Sequence, residues 1–288
     1  MMTLNCSPML VGISPCPNDT FCFASFVEQT NSRVPMNVVV QSLEELNIQA
    51  VRNQYFDLTK ISAAAFPYVS HEYTILSVGN AFATHHGPKC VIRKGVDFSQ
   101  LSHLTLGIPG AYTSAYLTFR LLYGEPARVL EVPFREMIHA LESGACDVGL
   151  LIHENSISAL PGDLCLYADL GKVFRQRYHM PLPLGLVVAR SSLGEEMLSL
   201  LNKMLFVSLQ SAQRSSTLSS YVLSHAYDRR EEVVRSHIAS YVTEETKWLS
   251  EEGVCALSRW FQEAHRAGLL PQSSLQICRT VAENPISF

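Results

Sequence analysis

Residues 9–62 read MLVGISPCPNDTFCFASFVEQTNSRVPMNVVVQSLEELNIQAVRNQYFDLTKIS. The short apolar runs "MLVGI", "MNVVVQSL" and "FDLTKIS" predict strands, because runs of this length bounded by turn residues suit a buried sheet. Between them, "TFCFASFVEQ" and "EELNIQAVRNQ" repeat apolar residues at helical spacing. Strands that alternate with helices in this way predict an α/β fold, with parallel strands and helices on both faces.

Outward from that stretch, "AAAFPYVSH" begins another helix, and "TILSVGNAF" and "KCVIRKG" read as two strands with no helix between them. A second cycle follows: "LTLGIPG" strand, "TSAYLTFRLLYG" helix, "RVLEVPF" strand, "REMIHALESGA" helix, "DVGLLIHE" strand. "GLVVARSS", at 185–192, is a further strand, after which the pattern is almost wholly helical. Two cycles and a helical tail predict two lobes. Residues 1–97 with 190–288 would form the first and 98–189 the second, with the tail returning to the first lobe. No linker-like segment separates them, which favours a double crossover over a flexible tether.

The chain has 288 residues, 47% hydrophobic and 17% charged, enough for a sizeable core and too apolar for disorder. Its 22 Lys and Arg against 26 Asp and Glu leave a formal charge of −4, and no basic run is interleaved with aromatics, so a nucleic-acid partner is not expected. No window approaches the roughly 18 apolar residues of a membrane helix. The opening "MMTLNCSPMLVGISPCP" lacks the basic region of a secretory signal, so the expected location is cytoplasmic, away from the membrane. Eight cysteines show no C-x-x-C pair and no regular spacing with histidine, which reads as free thiols and not as a disulfide framework or metal site. The absence of a serine elbow, a phosphate loop and G-x-G-x-x-G lowers serine hydrolysis and nucleotide hydrolysis.

In open α/β sheets ligands gather beyond the carboxyl ends of the strands. Four such turns carry polar or small residues. In "SPCPNDT" the prolines stiffen the turn while Asn18 or Asp19 can cap the next helix. "TKIS" places Ser62 at a helix start beside Lys60, which suits an anion. "GIPGAYTSAYL" sets Thr113 and Ser114 at another helix start, with a carboxylate as the natural guest. For each of these an ordinary helix cap is the alternative. "GLLIHENS" ends an apolar strand on His153 and Glu154, where a neutral imidazole can exchange protons near pH 7. His85 and His86 adjoin a Gly-Pro turn and are candidates to line the same opening, with no third ligand at zinc spacing. His139, His225, His237 and His265 fall in helical patterns and read as structural, as do Trp248 and Trp260.

At these turns the sequence resembles the 1,4-dihydroxy-6-naphthoate synthase family of the futalosine route to menaquinone. The matching pieces are "SPCPNDTF", "LEELN", "DLTKIS", "HGP", "IPGAYTSAYL", "DVGLLIHE", "DLG" and "PLPLG", in order from residue 14 to 185. "YVTEET" and "EEGVCAL" echo it more weakly. The resemblance implies a two-lobed fold like that of type 2 periplasmic binding proteins, with a ligand cleft between the lobes. It implies a cytoplasmic, cofactor-free carbon–carbon lyase without a metal, converting cyclic dehypoxanthine futalosine into 1,4-dihydroxy-6-naphthoate and dihydroxyacetone.

His153 is then the candidate general base. Ser62, Ser114 and Ala115 are candidate substrate contacts, joined by Lys60, Thr113, Asn18, Asn47 of "LEELN" and His86. The partner is a small-molecule carboxylate, and a homodimer is left open. The chain departs from the family at Asn155-Ser156-Ile157, where Gly-Arg-Phe is usual, at Lys172–Met180, and at His85-His86 in place of Gly-Cys. Two other readings stay open: a non-catalytic carboxylate-binding protein of the same fold, and the sibling chorismate dehydratase, whose opening usually lacks "SPCPNDTF".

Overall fold

Strand β1 (Met9–Ile13) is apolar throughout because helices cover both faces of its sheet. The computed structural model describes residues 8–28, 34–84, 86–153 and 160–279. Helix α1 (Pro17–Glu28) follows β1, then β2 (Met36–Val40), α2 (Leu43–Asn53) and β3 (Leu58–Ser62). β1 pairs in parallel with both β2 and β3, the arrangement that the alternation of residues 9–62 predicts. The approach of α2 to β1 depends on Gly12: a Cβ there would lie 2.8 Å from Leu46, Phe56 and Thr59 side-chain atoms. Ser42 and Glu45 start α2 with a reciprocal capping box.

"AAAFPYVSH" forms a 3₁₀ turn, Ala63–Tyr68, in place of the expected helix, with Pro67 inside it unable to donate a backbone hydrogen bond. "TILSVGNAF" splits into β4 (Tyr73–Leu76) and β5 (Ala81–Ala83) around Gly79, whose φ is +89°. Next come β6 (Lys89–Arg93), β7 (Thr105–Ile108), α3 (Ser114–Tyr123), β8 (Arg128–Glu131), α4 (Met137–Glu142) and β9 (Val148–Leu151). β10 (Leu164–Asp169), α5 (Leu170–Tyr178) and β11 (Leu182–Arg190) complete the second half.

The described strands form two sheets. The first runs β2-β1-β3-β11-β4 and ends in β12 (Ile277–Cys278), with β5 also paired to β11; the second runs β10-β6-β9-β7-β8. Sheet membership divides the chain elsewhere than the expected 97/98 and 189/190 boundaries. β6 joins the second sheet by antiparallel pairing with β9 and β10, and β11 joins the first by antiparallel pairing with β3, β4 and β5. Counting parallel βα cycles cannot assign such antiparallel strands.

The two crossing segments press together at Gly87 and Gly171. A Cβ on Gly87 would come within 2.5 Å of the Gly171 nitrogen. Asp169 ties them: its carboxylate accepts from the Gly87 N–H at 2.9 Å and the Lys172 N–H at 3.1 Å, and pairs with Lys89.

The tail holds α6 (Gly194–Arg214), α7 (Ser220–His225), α8 (Glu231–Tyr241), α9 (Glu244–Lys247) and α10 (Glu251–Arg266). It packs on the first sheet. The Phe26 N–H in α1 donates to Ser208 Oγ of α6 at 2.8 Å, and β12 adds in parallel beside β4. Trp260 is fully buried in α10, in keeping with its reading as core. Among the described residues no helix is long and apolar enough to cross a membrane.

Candidate functional site

The carboxyl ends of β1, β3 and β9 and the start of α3 converge between the two sheets, and β11 and α8 close the space. Lining this cleft are Asn18, Lys60, Ser62, Thr113, Ser114, Ala115 and His153, together with Cys16, Asp19, Gly185, His237 and Tyr241. Leu43, Thr113, Ile152 and His153 also border a wider mouth in which Phe134, Arg135 and Tyr227 stand. His153 and the α3 helix start, expected to face one another, therefore share one space.

In the first turn Asn18 and Asp19 do not cap α1. The Cys16 carbonyl starts the helix, accepting from the N–H groups of Asp19 and Thr20, both at 3.0 Å. Asp19 instead pairs with Lys60 at 2.7 Å, with both side chains almost wholly buried. The carboxylate also accepts from Ser14 Oγ at 2.6 Å and Asn18 Nδ2 at 2.8 Å. Lys60 further donates to the Gly79 carbonyl at 2.6 Å. Gly185 leaves room for its stem, since a Cβ there would meet Lys60 Cε at 2.8 Å. Such saturation is what a buried ion pair requires.

Ser62 is held from behind by Asn47. The Asn47 amide donates to Ser62 Oγ at 3.0 Å and accepts from the Ser62 N–H at 2.7 Å. Asn47 is fully buried and lies outside the cleft lining, so it orients Ser62 and is not placed to meet a ligand. His86 is also displaced from its expected position. Its side chain is 56% exposed and lies 3.8 Å from Asp169 at the crossover. His85, Glu154 and Asn155–Ile157 fall outside the described residues.

Thr113 caps α3, accepting from the Tyr116 N–H at 3.4 Å. Ser114 bridges the sheets: its hydroxyl donates to the Leu184 carbonyl at 2.8 Å and accepts from the Ala64 N–H at 3.2 Å. The first-turn N–H groups at Ser114 and Ala115 have no intrahelical acceptor, which together with the helix dipole favours an anion at this end of the cleft.

His153 adopts a left-handed backbone, φ +55°, a conformation non-glycine residues hold only where the surroundings impose it. Its Nδ1 lies 2.9 Å from Cys16 Sγ, and its ring meets Phe134 edge-on at 4.7 Å. Burial pushes its pKa down to about 4, with the Asp19 charge pulling the other way, so the imidazole is neutral at pH 7. On the far side of Cys16, His237 Nε2 lies 3.2 Å from the sulfur and 3.2 Å from Asn18 Oδ1. Burial pushes the His237 pKa down to about 3.

His237 thus belongs to this site, although its helical setting reads as structural in the sequence. Cys16 was equally hidden in a turn that reads as a stiff cap. Its place at a strand's carboxyl end was the one signal available.

A family described as "Menaquinone biosynthesis" matches residues 9–266. The chain belongs to this family. It is 33% identical over 265 residues to the 1,4-dihydroxy-6-naphthoate synthase of Thermus thermophilus, covering 91% of this chain and 96% of that protein. The enzyme of the same name from Streptomyces coelicolor is 31% identical over 278 residues, covering 93% and 96%. These are the relatives that the motifs from "SPCPNDTF" to "PLPLG" indicate.

Among solved structures, an Archaeoglobus fulgidus protein superposes with a TM-score of 0.84 at 26% identity, covering 91% of this chain and 98% of that one. The alkanesulfonate-binding protein of Xanthomonas axonopodis pv. citri superposes at 0.68 with 13% identity, covering 94% and 96%. The fold is therefore the two-lobed one of periplasmic binding proteins.

Proposed function

We propose that this cleft is the active site of a cofactor-free carbon–carbon lyase, with cyclic dehypoxanthine futalosine as substrate and 1,4-dihydroxy-6-naphthoate and dihydroxyacetone as products. The observation that carries this reading is a neutral His153 imidazole and the α3 helix start lining one cleft. The substrate carboxylate sits at the N–H groups of Ser114 and Ala115, with Ser62, Lys60 and Thr113 around it and Asn18 behind. His153 takes a proton from a substrate hydroxyl, and that oxygen becomes a carbonyl as the adjacent carbon–carbon bond breaks. The bond's electron pair passes to the carbonyl-bearing fragment as an enolate and the imidazolium returns the proton there, a general-base step that typically contributes ~10²–10⁴-fold.

A ring with a pKa near 4 is a weak base in the empty cleft. The bound carboxylate supplies a negative charge that stabilises the imidazolium and raises it toward the useful range. Aromatisation of the naphthoate supplies the driving force. Incubation of the purified chain with cyclic dehypoxanthine futalosine, followed by mass detection of the naphthoate, tests the reading. Tight binding without product would favour a carboxylate-binding protein instead.

A further inference from the structure

Cys16 lies between two histidines that the fold brings from residues 153 and 237, and the direction of the hydrogen bonds on the His237 side follows from its neighbours. Asp19, paired with Lys60, is ionised and only accepts. The Asn18 amide nitrogen must therefore be the group at 2.8 Å from Asp19, which turns the Asn18 carbonyl oxygen toward His237. A carbonyl needs a donor, so His237 carries its proton on Nε2, the nitrogen that also faces Cys16 Sγ at 3.2 Å. His237 Nδ1 has no hydrogen-bond partner among the described residues, in accord with a neutral ring protonated on the other nitrogen. The sulfur accordingly receives an N–H on one side and meets His153 Nδ1, 2.9 Å away, on the other.

We propose that Cys16 is a positioning residue for His153: its sulfur accepts the Nδ1–H hydrogen bond, with the S–H turned away from both rings, so that the proton-accepting lone pair is on Nε2. This rests on the reading of His153 as the base. His237, itself held by Asn18, in turn holds the sulfur, so a string of buried groups runs from the Asp19–Lys60 pair to the ring. The string answers a specific need. An imidazole exchanges its two tautomers freely unless a partner on one nitrogen selects between them, and only one tautomer offers a lone pair on Nε2. Among the described residues, Cys16 and Asp19 from the first turn and His237 from α8 are titratable groups that face His153.

The tautomer can be read without turnover. Nitrogen-15 NMR of the histidine-labelled wild-type chain, with the His153 signals assigned through His153→Asn, is expected to show one neutral tautomer protonated on Nδ1 between pH 6 and 8. An Nε2-protonated ring or a mixture overturns the proposal. In Cys16→Ala the tautomers are expected to mix, kcat to fall about tenfold or more with KM within about twofold, as when an imidazole's orienting partner is lost. The acid limb of kcat/KM is expected to move up from about 4 as water replaces the sulfur.

Cys16→Ser, which keeps an acceptor, is expected to recover much of the rate and restore the limb. A Cys16→Ala variant with unchanged kcat and limb overturns the role, and if that variant does not fold, the wild-type spectra decide. Full turnover by His153→Asn would remove the base reading alone, leaving the NMR test standing. An inactive His153→Asn beside an unaffected Cys16→Ala would remove only the role of Cys16.

Discussion

Asp19 and Lys60 meet at 2.7 Å, at 4% and 2% side-chain exposure, on the first helix and the third strand. Removing one member strands the other charge away from water. Lys60→Met is expected to lower stability by about 3–5 kcal/mol, the usual cost of breaking a buried pair. The double change Asp19→Leu with Lys60→Met is expected to cost clearly less than the two single changes summed. Urea unfolding of the three variants measures this, and simple additivity would show that the pair is not coupled.

His153→Asn keeps a similar shape and a hydrogen-bonding side chain but offers no basic nitrogen. It is expected to bind the substrate within a few-fold of wild type while kcat falls by about 10² or more, the scale of a lost general base. Calorimetric binding together with steady-state kinetics separates the two effects. Equal turnover in the variant would end the assignment of His153.

The β1-α1-β2-α2-β3 half was legible in the sequence because the buried run of β1, the valines of β2 and Leu58 and Ile61 of β3 alternate with segments of helical spacing. β10 was not: residues 164–168 are an equally apolar run, but the strand pairs antiparallel with β6 at a sheet edge, outside the alternation of strands and helices that guides the reading. Helix starts with Thr113 and Ser114 announce themselves through capping chemistry. The sulfur between His153 and His237 does not, because its partners lie 137 and 221 residues away and α8 places His237 where any core residue would sit. Asn47 was named for the site on a motif, yet it works one layer behind, fixing Ser62.

The two buried histidines make stability depend on pH in a direction that follows from their shifts. Burial holds His153 near 4 and His237 near 3, whereas an unfolded histidine titrates near 6.5. Above about 6.5 both rings are neutral in both states, and their contribution is flat. As pH falls below that value the unfolded chain binds protons that the folded chain refuses, so stability drops until pH reaches the folded values. Each ring adds a slope of up to ~1.4 kcal/mol per pH unit. His237→Gln is expected to flatten the unfolding free energy between pH 6 and 4 by about one such slope. An unchanged slope in that variant would contradict the assigned burial effect.

Gly110 and Glu44 touch across the cleft mouth. Gly110 has a φ of +150°, which side chains rarely adopt, and a Cβ there would fall 1.6 Å from Glu44 Oε2. Glu44 has a buried Oε2 with no hydrogen-bond partner among the described residues. Burial, and then the Glu131 charge, push its pKa up to about 7, so part of the population is protonated at neutral pH and sits against the Gly110 backbone uncharged. Gly110→Ala must displace that carboxyl, and it strains the backbone whose carbonyl accepts from the N–H of Thr113, the α3 cap, at 3.2 Å. A shift of about 1 Å in a substrate-binding element can cost ~10²-fold in rate, and a fall in kcat/KM toward that size is expected. Adding Glu44→Ala removes the clash but not the backbone strain, so the double variant is expected to recover part of the loss. Steady-state kinetics of the two single variants and the double variant checks this. Strictly additive losses would mean that the two residues do not meet in the working enzyme.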